Sequence, residues 1–185
     1  LLKDFRQALD HDGLDLVFQP KIDAASGRIT AAEALLRWKH KTRGNVPPTT
    51  FVALAERFGL IVRLGDWVID RACRQAGEWA AKGLNMRVAI NLSAQHLHQP
   101  DLAQRIGQAL SRNRIEPSRL TCEITETLAM ENTQATQATL AQLGLLGVHL
   151  SIDDFGTGYS SLAYLRRLPA KEVKIDRSFV MDLER

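Results

Sequence analysis

The chain has 185 residues, 45% of them hydrophobic, and its 24 basic and 21 acidic side chains give a net charge of +3. This length suits one globular domain with a substantial core, and no stretch approaches the ~18 consecutive apolar residues of a membrane span. The net charge is too small to indicate a protein that binds duplex DNA or RNA.

Strand-like and helix-like stretches alternate along most of the chain. Residues 1–13 form an amphipathic stretch that predicts a lead-in helix or linker, and the domain itself is predicted over residues 14–185. The predicted strands cover residues 14–20, 29–38, 86–92, 120–125, 148–153 and 172–175. The predicted helices cover residues 50–58, 62–82, 102–112, 133–143 and 160–167.

The order of these elements predicts an α/β fold. A strand followed by a helix, repeated, favours parallel strands joined by right-handed crossovers. The first two strands are an exception, because the turn-rich residues 23–27 predict an antiparallel hairpin. About six strands can be recognised, whereas a closed (β/α)₈ barrel usually has eight strands and ~250 residues. We therefore expect an open sheet or a barrel that stops before it closes, and we favour the barrel.

The cysteine and histidine residues do not indicate redox chemistry or a zinc site. Cys73 and Cys122 are far apart in sequence and lie in no Cys-x-x-Cys pattern, so we expect core packing in a reduced, cytoplasmic setting. His96 and His98 are predicted to lie in a polar loop with no third ligand nearby, which disfavours zinc.

Acidic and amide side chains stand at the ends of several predicted strands. They are Glu33, Asn91, Glu123, Asp153 and Asp154. In α/β sheets and barrels the C-terminal ends of parallel strands converge on the functional site. Carboxylate and carboxamide oxygens suit a hard divalent cation such as Mg²⁺ or Mn²⁺. The sequence therefore predicts a divalent metal site at this edge of the sheet.

Each of these residues also has a purely structural explanation. Glu33 or Glu123 on a buried strand could pair with Lys174 or Arg37 as an ion pair. Asn91 could serve as a turn or cap residue. The two adjacent aspartates could cap the following helix, and the lysine could be a surface residue with a buried stem. Taken together, the set favours a metal site over these separate explanations.

Five motifs occur in order along the chain. They are Glu-Ala-Leu-Leu-Arg-Trp at 33–38, Asn-Leu-Ser at 91–93, Glu-Ile-Thr-Glu at 123–126, Asp-Asp-Phe-Gly-Thr-Gly-Tyr-Ser-Ser-Leu at 153–162 and Val-Lys-Ile-Asp at 173–176. Together they resemble the EAL domain of bacterial cyclic di-GMP phosphodiesterases. Glu-Ala-Leu alone would mean little, but five motifs in sequence, one of them ten residues long, exceed what chance gives.

The resemblance implies a fold and an activity. The fold would be a modified (β/α)₈ TIM-type barrel with one antiparallel strand. The activity would be hydrolysis of cyclic di-GMP to linear pGpG in second-messenger signalling, with Mg²⁺ or Mn²⁺ and two ions in the complete domain. The implied metal ligands are Glu33, Asn91, Glu123, Asp153 and Asp154, the last of them shared with a second ion.

The resemblance also implies roles for other side chains. Lys174 would orient and polarise the attacking water, and it would form the catalytic set together with Glu33, Asp153 and Asp154. Glu126 would brace the loop that follows Asp153. Two further residues, Gln19 and Arg37, would contact the substrate.

The family pattern extends beyond the motif that contains Lys174. It continues with a strand that carries a metal-associated glutamate in Ala-Glu-Gly-Val-Glu and with a later Gln-Gly motif, and neither occurs in this sequence. We therefore expect a barrel truncated after about six strands. The resemblance further implies a homodimer, and the lead-in helix would suit a linker from an upstream sensory or GGDEF-type domain. We expect no direct membrane insertion of this segment.

Three hypotheses for function follow. The first is a metal-dependent cyclic di-GMP phosphodiesterase, which the complete ligand set favours. The second is a receptor that binds cyclic di-GMP without hydrolysing it, and metal-independent nucleotide binding would distinguish it. The third is a barrel fragment that serves as an interaction module, and it would bind neither nucleotide nor metal. The sequence favours the first hypothesis.

Overall fold

The computed structural model describes residues 1–11, 13–131, 133–156 and 168–181. The strands are β1 (Leu14–Ile22), β2 (Ile29–His40), β3 (Gly44–Val46), β4 (Arg87–Asn91), β5 (Leu120–Thr125), β6 (His149–Phe155) and β7 (Ala170–Ile175). The α-helices are α1 (Leu2–Asp10), α2 (Pro48–Arg57), α3 (Ile61–Ala81), α4 (Ala94–Leu97), α5 (Leu102–Arg112), α6 (Glu126–Ala129) and α7 (Gln134–Leu146). The helix predicted over residues 160–167 lies outside the described residues.

The sheet has the strand order β1-β2-β4-β5-β6-β7, with β3 paired to the end of β2. Strands β1 and β2 form the predicted antiparallel hairpin, in which Gln19 faces Glu33. The pairs from β2 to β7 along this order are parallel. Helices separate the consecutive parallel strands through β6, as the alternating sequence pattern predicted. The α/β architecture and the hairpin are therefore confirmed.

One face of the sheet is covered by helices and forms an apolar core. Helix α3 has buried residues at intervals of three and four positions, which places one apolar stripe against the sheet. Helices α5 and α7 present buried leucines to the same core. Both Cys73 and Cys122 are buried here as free thiols, and burial raises the pKa of Cys73 to about 12. The prediction that the cysteines pack in the core is confirmed.

A second apolar cluster holds the first helix against the domain. The ring of Phe5 on α1 is fully buried and lies 5.4 Å from the ring of Trp38 and 5.8 Å from that of Phe51. Helix α1 thus packs against β2 and α2 rather than projecting away as a free linker. The domain boundary between residues 13 and 14 stays a prediction.

The other face of the sheet carries polar side chains. Register partners on neighbouring strands share a face, and so do alternate residues along one strand. Asn91 pairs with Glu123, and Thr125, two residues further along β5, pairs with Asp153. Glu33 pairs with Ala89, two residues before Asn91. Four of the five residues predicted to bind metal, Glu33, Asn91, Glu123 and Asp153, therefore share this polar face.

The structure differs from the sequence prediction mainly in short elements. Strand β3 and the four-residue helices α4 and α6 were not predicted. His96 was expected in a polar loop, but it lies in α4 and is 1% exposed, so that prediction was wrong. Within the described part of the chain, no helix has the length and apolar character that crossing a membrane requires.

Candidate metal centre

Three carboxylates from three strands meet on the polar face of the sheet. Glu33 on β2, Glu123 on β5 and Asp153 on β6 each place one carboxylate oxygen within 4.8 Å of those of the other two. Glu123 is fully buried, whereas Glu33 and Asp153 are partly exposed. The parallel register of β2, β4, β5 and β6 sets these residues side by side, and this arrangement explains why residues so distant in sequence form one group. We call this group the carboxylate cluster.

The ammonium group of Lys174 lies at the centre of the carboxylate cluster. Its Nζ donates hydrogen bonds to Glu33 Oε2 at 3.0 Å, Glu123 Oε2 at 2.7 Å and Asp153 Oδ2 at 2.9 Å. Burial lowers the pKa of Lys174, but these three hydrogen bonds outweigh burial and leave the pKa above its usual value. Lys174 is therefore a charged member of the site and not the surface lysine of the structural alternative.

A second lysine reaches Glu123 from the opposite side. Lys21 Nζ on β1 donates to Glu123 Oε1 at 2.6 Å and to Glu172 Oε1 at 3.0 Å. Ser151 Oγ on β6 donates to the same Glu172 oxygen at 3.2 Å. Burial raises the pKa of Glu123, and the hydrogen bonds from Lys174 and Lys21 oppose that rise.

Sequence reasoning missed Lys21, Ser151 and Glu172. A signal was available, because Lys21 lies two residues after Gln19, the cross-strand partner of Glu33, and so shares its face. Glu172 likewise lies two residues before Lys174 on β7. The register between β6 and β7, which pairs Ser151 with Glu172, could not be obtained from the sequence.

The carboxylate cluster fits a hard divalent cation. Three carboxylate oxygens already surround one cationic nitrogen within 3.0 Å, and oxygen ligands of this type suit Mg²⁺ or Mn²⁺. The four carboxylates and two ammonium groups of the connected network carry a formal charge of −2, which one divalent ion would neutralise. Glu33, Glu123 and Asp153 are the residues that could hold such an ion.

Asn91 lies beside the cluster on β4. Its Nδ2 donates a hydrogen bond to Glu33 Oε1 at 3.0 Å, so Asn91 fixes one oxygen of Glu33 while Lys174 contacts the other. The structure thus brings Asn91 to the predicted site. A ligand role for Asn91, which would use its Oδ1, stays a prediction.

The adjacent aspartates at the end of β6 do not follow ordinary strand geometry. The register with β7 shifts between Ile152 and Phe155, and Asp154 has a left-handed φ of 53°. Such a bulge interrupts the alternation of side chains between the two faces of the sheet. Bulges are common next to functional sites. Burial and the negative charges of Asp153 and Asp176 raise the pKa of Asp154. Asp154 lies outside the group of three, and its role at a second ion stays a prediction.

Glu126 contacts the loop that follows β6. The backbone N–H of Gly156 donates to Glu126 Oε2 at 2.7 Å, and Glu126 is 1% exposed. Gly156 has a φ of 100°, and a Cβ atom there would lie 2.6 Å from the ring of Phe179. This hydrogen bond is the contact that the predicted loop-bracing role requires.

Gln19 and Arg37 lie on the hairpin beside the cluster. Gln19 is exposed and sits opposite Glu33 in the β1–β2 register. Arg37 is exposed four residues beyond Glu33, about 13 Å along the strand at ~3.3 Å per residue, and its Nη1 donates to Leu36 O at 2.8 Å. Their predicted contacts with substrate stay predictions.

His96 is held in a charge network away from the cluster. Its Nε2 lies 3.2 Å from Asp66 Oδ1 on α3, and Arg105 Nη1 on α5 donates to Asp66 Oδ2 at 2.7 Å. The exposed His98 instead contacts Glu131 Oε2 at 2.8 Å. The two imidazoles thus have different carboxylate partners.

Comparison with known proteins identifies the family to which this architecture corresponds. A family model described as the EAL domain matches residues 2–185. The bifunctional diguanylate cyclase/cyclic di-GMP phosphodiesterase MucR of Pseudomonas aeruginosa is 49% identical over 184 residues, which are 99% of this chain and 27% of MucR. The cyclic di-GMP phosphodiesterase NbdA of the same organism is 46% identical over 182 residues, 98% of this chain and 23% of NbdA.

A solved structure agrees with these sequence matches. The structure described as the PaMucR phosphodiesterase in complex with c-di-GMP superposes with a TM-score of 0.93 at 48% identity, covering 99% of this chain and 74% of that one. The chain therefore spans about a quarter of the length of the curated relatives named above and about three quarters of this solved chain.

Proposed function

This chain belongs to the EAL domain family, and from that premise we propose that it hydrolyses cyclic di-GMP to linear pGpG with a divalent cation, Mg²⁺ or Mn²⁺. The observation that carries the proposal is the carboxylate cluster, in which Glu33, Glu123 and Asp153 from three strands of the sheet surround one cation position. The relatives MucR and NbdA, which are named as cyclic di-GMP phosphodiesterases, support the choice of substrate.

Glu33, Glu123 and Asp153 would hold the divalent ion, with Asn91 as a neutral fourth partner and Asp154 shared with a second ion. When bound, divalent cations lower the pKa of water and neutralise charge on the phosphodiester oxygens. A neutral Asn91 keeps the site from becoming too negative for an anionic substrate.

The protein side chains would position the reactants. Formation of pGpG requires a water oxygen to bond to phosphorus while the bond from phosphorus to a 3′ oxygen breaks, and that 3′ oxygen takes up a proton. Lys174 would act as a hydrogen-bond donor that orients the attacking water. Glu33, Asp153 and Asp154 complete the catalytic set as residues that would hold the divalent ions.

Substrate contacts would come from the hairpin beside the cluster. Gln19 and Arg37 are exposed on the same side of the sheet as Glu33, so both are accessible to a nucleotide. The Arg37 guanidinium suits a phosphate or a guanine edge, since its planar donors bind paired acceptors. Glu126 would hold the loop after Asp153 through Gly156.

One feature favours a second candidate function. Lys174 already donates a hydrogen bond to each of the three carboxylates, so the protein itself supplies a cation at the centre of the cluster. A receptor that binds cyclic di-GMP without a metal could use the same fold, and this remains the alternative to hydrolysis.

A turnover assay separates the two candidates. The protein is incubated with cyclic di-GMP in Mn²⁺ or in EDTA, product is followed by chromatography, and nucleotide binding is measured by calorimetry under both conditions. The phosphodiesterase predicts pGpG in Mn²⁺ and none in EDTA. Nucleotide binding in EDTA with no product in Mn²⁺ would support the receptor instead.

Three predictions about the larger context remain proposals. We propose a homodimer, a cytoplasmic location and an accompanying GGDEF-type or sensory domain. The name of MucR, a bifunctional diguanylate cyclase and phosphodiesterase, supports the accompanying domain.

A further inference from the structure

Four residues on the polar face form a chain of hydrogen bonds that ends at Glu123 of the carboxylate cluster. Ser151 Oγ donates to Glu172 Oε1, Lys21 Nζ donates to the same oxygen, and Lys21 Nζ also donates to Glu123 Oε1. We call this set the Lys21 relay. It joins β1 and β7, which lie at opposite ends of the strand order, to the central strand β5.

We propose that Lys21 is a positioning residue that orients Glu123 for a divalent cation, an inference that rests on the proposed function. The two oxygens of Glu123 have different partners. Lys21 contacts Oε1 at 2.6 Å, while Oε2 faces Lys174 together with oxygens of Glu33 and Asp153. With Oε1 occupied by Lys21, only Oε2 is presented to the cation position.

The burial of Glu123 makes this orientation depend on its partners. The side chain is fully buried, so water cannot replace a lost hydrogen bond. When a divalent ion takes the cation position that Lys174 now occupies, Lys21 is the ammonium that still holds Oε1. Without it, Glu123 would turn or remain with an unsatisfied oxygen, and either result weakens the ligand.

Lys21 is itself held in place from the far side. Glu172 supplies a second carboxylate to its ammonium, and Ser151 fixes that carboxylate. Lys21 follows Pro20 on β1, the strand at one end of the sheet order, and end strands are where sheets accommodate proline. The relay therefore has a defined geometry at each of its three links.

A role of Lys21 through its charge and a role through its orienting contact predict opposite changes in metal affinity when Lys21 is replaced. Removing a positive charge near a cation site would tighten metal binding if Lys21 acted through charge alone. Removing an orienting partner of a metal ligand weakens metal affinity, typically by about 10–100-fold. The sign of the change in affinity thus distinguishes a positioning role from a bystander charge.

The test is Mn²⁺ binding without nucleotide, followed by the electron paramagnetic resonance signal of free Mn²⁺. The proteins are the wild type, Lys21→Met, Lys21→Arg and the control Lys171→Met, which removes the same charge from an exposed position on β7. We expect Lys21→Met to raise the Kd about tenfold or more, Lys21→Arg to bind more tightly than Lys21→Met, and the control to match the wild type.

Circular dichroism in EDTA checks that each variant is folded. If Lys21→Met does not fold, Lys21→Gln, which keeps a polar side chain without the charge, is judged by the same criteria. Unchanged or tighter Mn²⁺ binding by the folded variant overturns the inference while leaving the proposed function intact. A wild-type protein that binds no Mn²⁺ overturns both the inference and the proposed metal centre.

Discussion

Lys174 Nζ on β7 lies 2.7 Å from Glu123 Oε2 on β5, and this contact crosses the intervening strand β6. The same nitrogen contacts Glu33 and Asp153, so one ammonium is shared by three carboxylates that a divalent ion would also require. Lys174 and the ion therefore compete for the same oxygens, and the proposed function requires the ammonium to move when the ion binds.

The competition predicts opposite effects of Lys174→Met on binding and turnover. Mn²⁺ should bind several-fold more tightly, because the competing charge is gone, whereas hydrolysis should fall about 100-fold because the water loses its donor. In EDTA the melting temperature of Lys174→Met should be lower than that of the wild type. Addition of Mn²⁺ should raise the melting temperature of the variant by more than it raises that of the wild type. Weaker Mn²⁺ binding together with normal turnover would contradict this prediction, and Lys171→Met serves as the charge-matched control.

The packing of α3 against α4 predicts that Gly65→Ala is destabilising. A Cβ atom at Gly65 would lie 2.3 Å from Nδ1 of the buried His96. Overpacking of this kind costs about 1–3 kcal/mol and should exceed the ~0.5–1 kcal/mol that alanine gains over glycine within a helix.

Urea unfolding of Gly65→Ala and Gly107→Ala measures this balance. At Gly107 on α5 a Cβ atom would meet only Leu146 Cδ1 at 3.4 Å, an ordinary contact. We expect Gly107→Ala to be neutral or stabilising by up to ~1 kcal/mol. Equal stabilisation by both substitutions would contradict the close packing of His96 on α3.

The burial of His96 predicts a loss of stability in acid. Burial lowers the pKa of His96, while Asp66 and Asp101 oppose and Arg105 reinforces this effect. The unfolded chain therefore binds a proton before the folded protein does. The stability contributed by neutral His96 is complete above the unfolded pKa of ~6.5 and decreases as the pH falls through the lower folded pKa.

Free energies of unfolding between pH 7.5 and pH 5 test this effect. As the pH falls, His96 should lower the free energy of unfolding of the wild type by up to ~1.4 kcal/mol per pH unit. The free energy of unfolding of His96→Gln should depend less steeply on pH. The exposed His98 provides the control, and His98→Gln should keep the wild-type slope. An unchanged slope in His96→Gln would show that another group governs the acid response.

The sequence predicted the long elements well, and the structure brings four of the predicted site residues together, for identifiable reasons. Each of the six predicted strands lies within two residues of an observed strand at both ends, because apolar runs bounded by turn residues mark buried strands clearly. Glu33, Asn91, Glu123 and Asp153 were recognised because their motifs resemble those of a known family. Their convergence follows from parallel strand topology.

The missed features depend on information that is not local in sequence. The four-residue helices α4 and α6 are too short for periodicity, although Ser93 and Thr125 cap them with their side chains. The bulge at Asp154 arises from the register between β6 and β7. Lys21 was missed because its partners Glu123 and Glu172 are 102 and 151 positions away.

The most direct test of the account compares pGpG formation by the wild type, Glu33→Ala and Glu56→Ala in Mn²⁺. Glu56 is an exposed residue of α2 away from the carboxylate cluster, so its variant controls for loss of a carboxylate. We predict metal-dependent product from the wild type and from Glu56→Ala, and a rate of product formation from Glu33→Ala that is lower by more than about 100-fold. Loss of even an indirect partner of a metal ion lowers metal affinity or activity about 10–100-fold, so loss of a direct ligand should cost more. Wild-type turnover by Glu33→Ala would contradict the assignment of the carboxylate cluster as the catalytic metal centre.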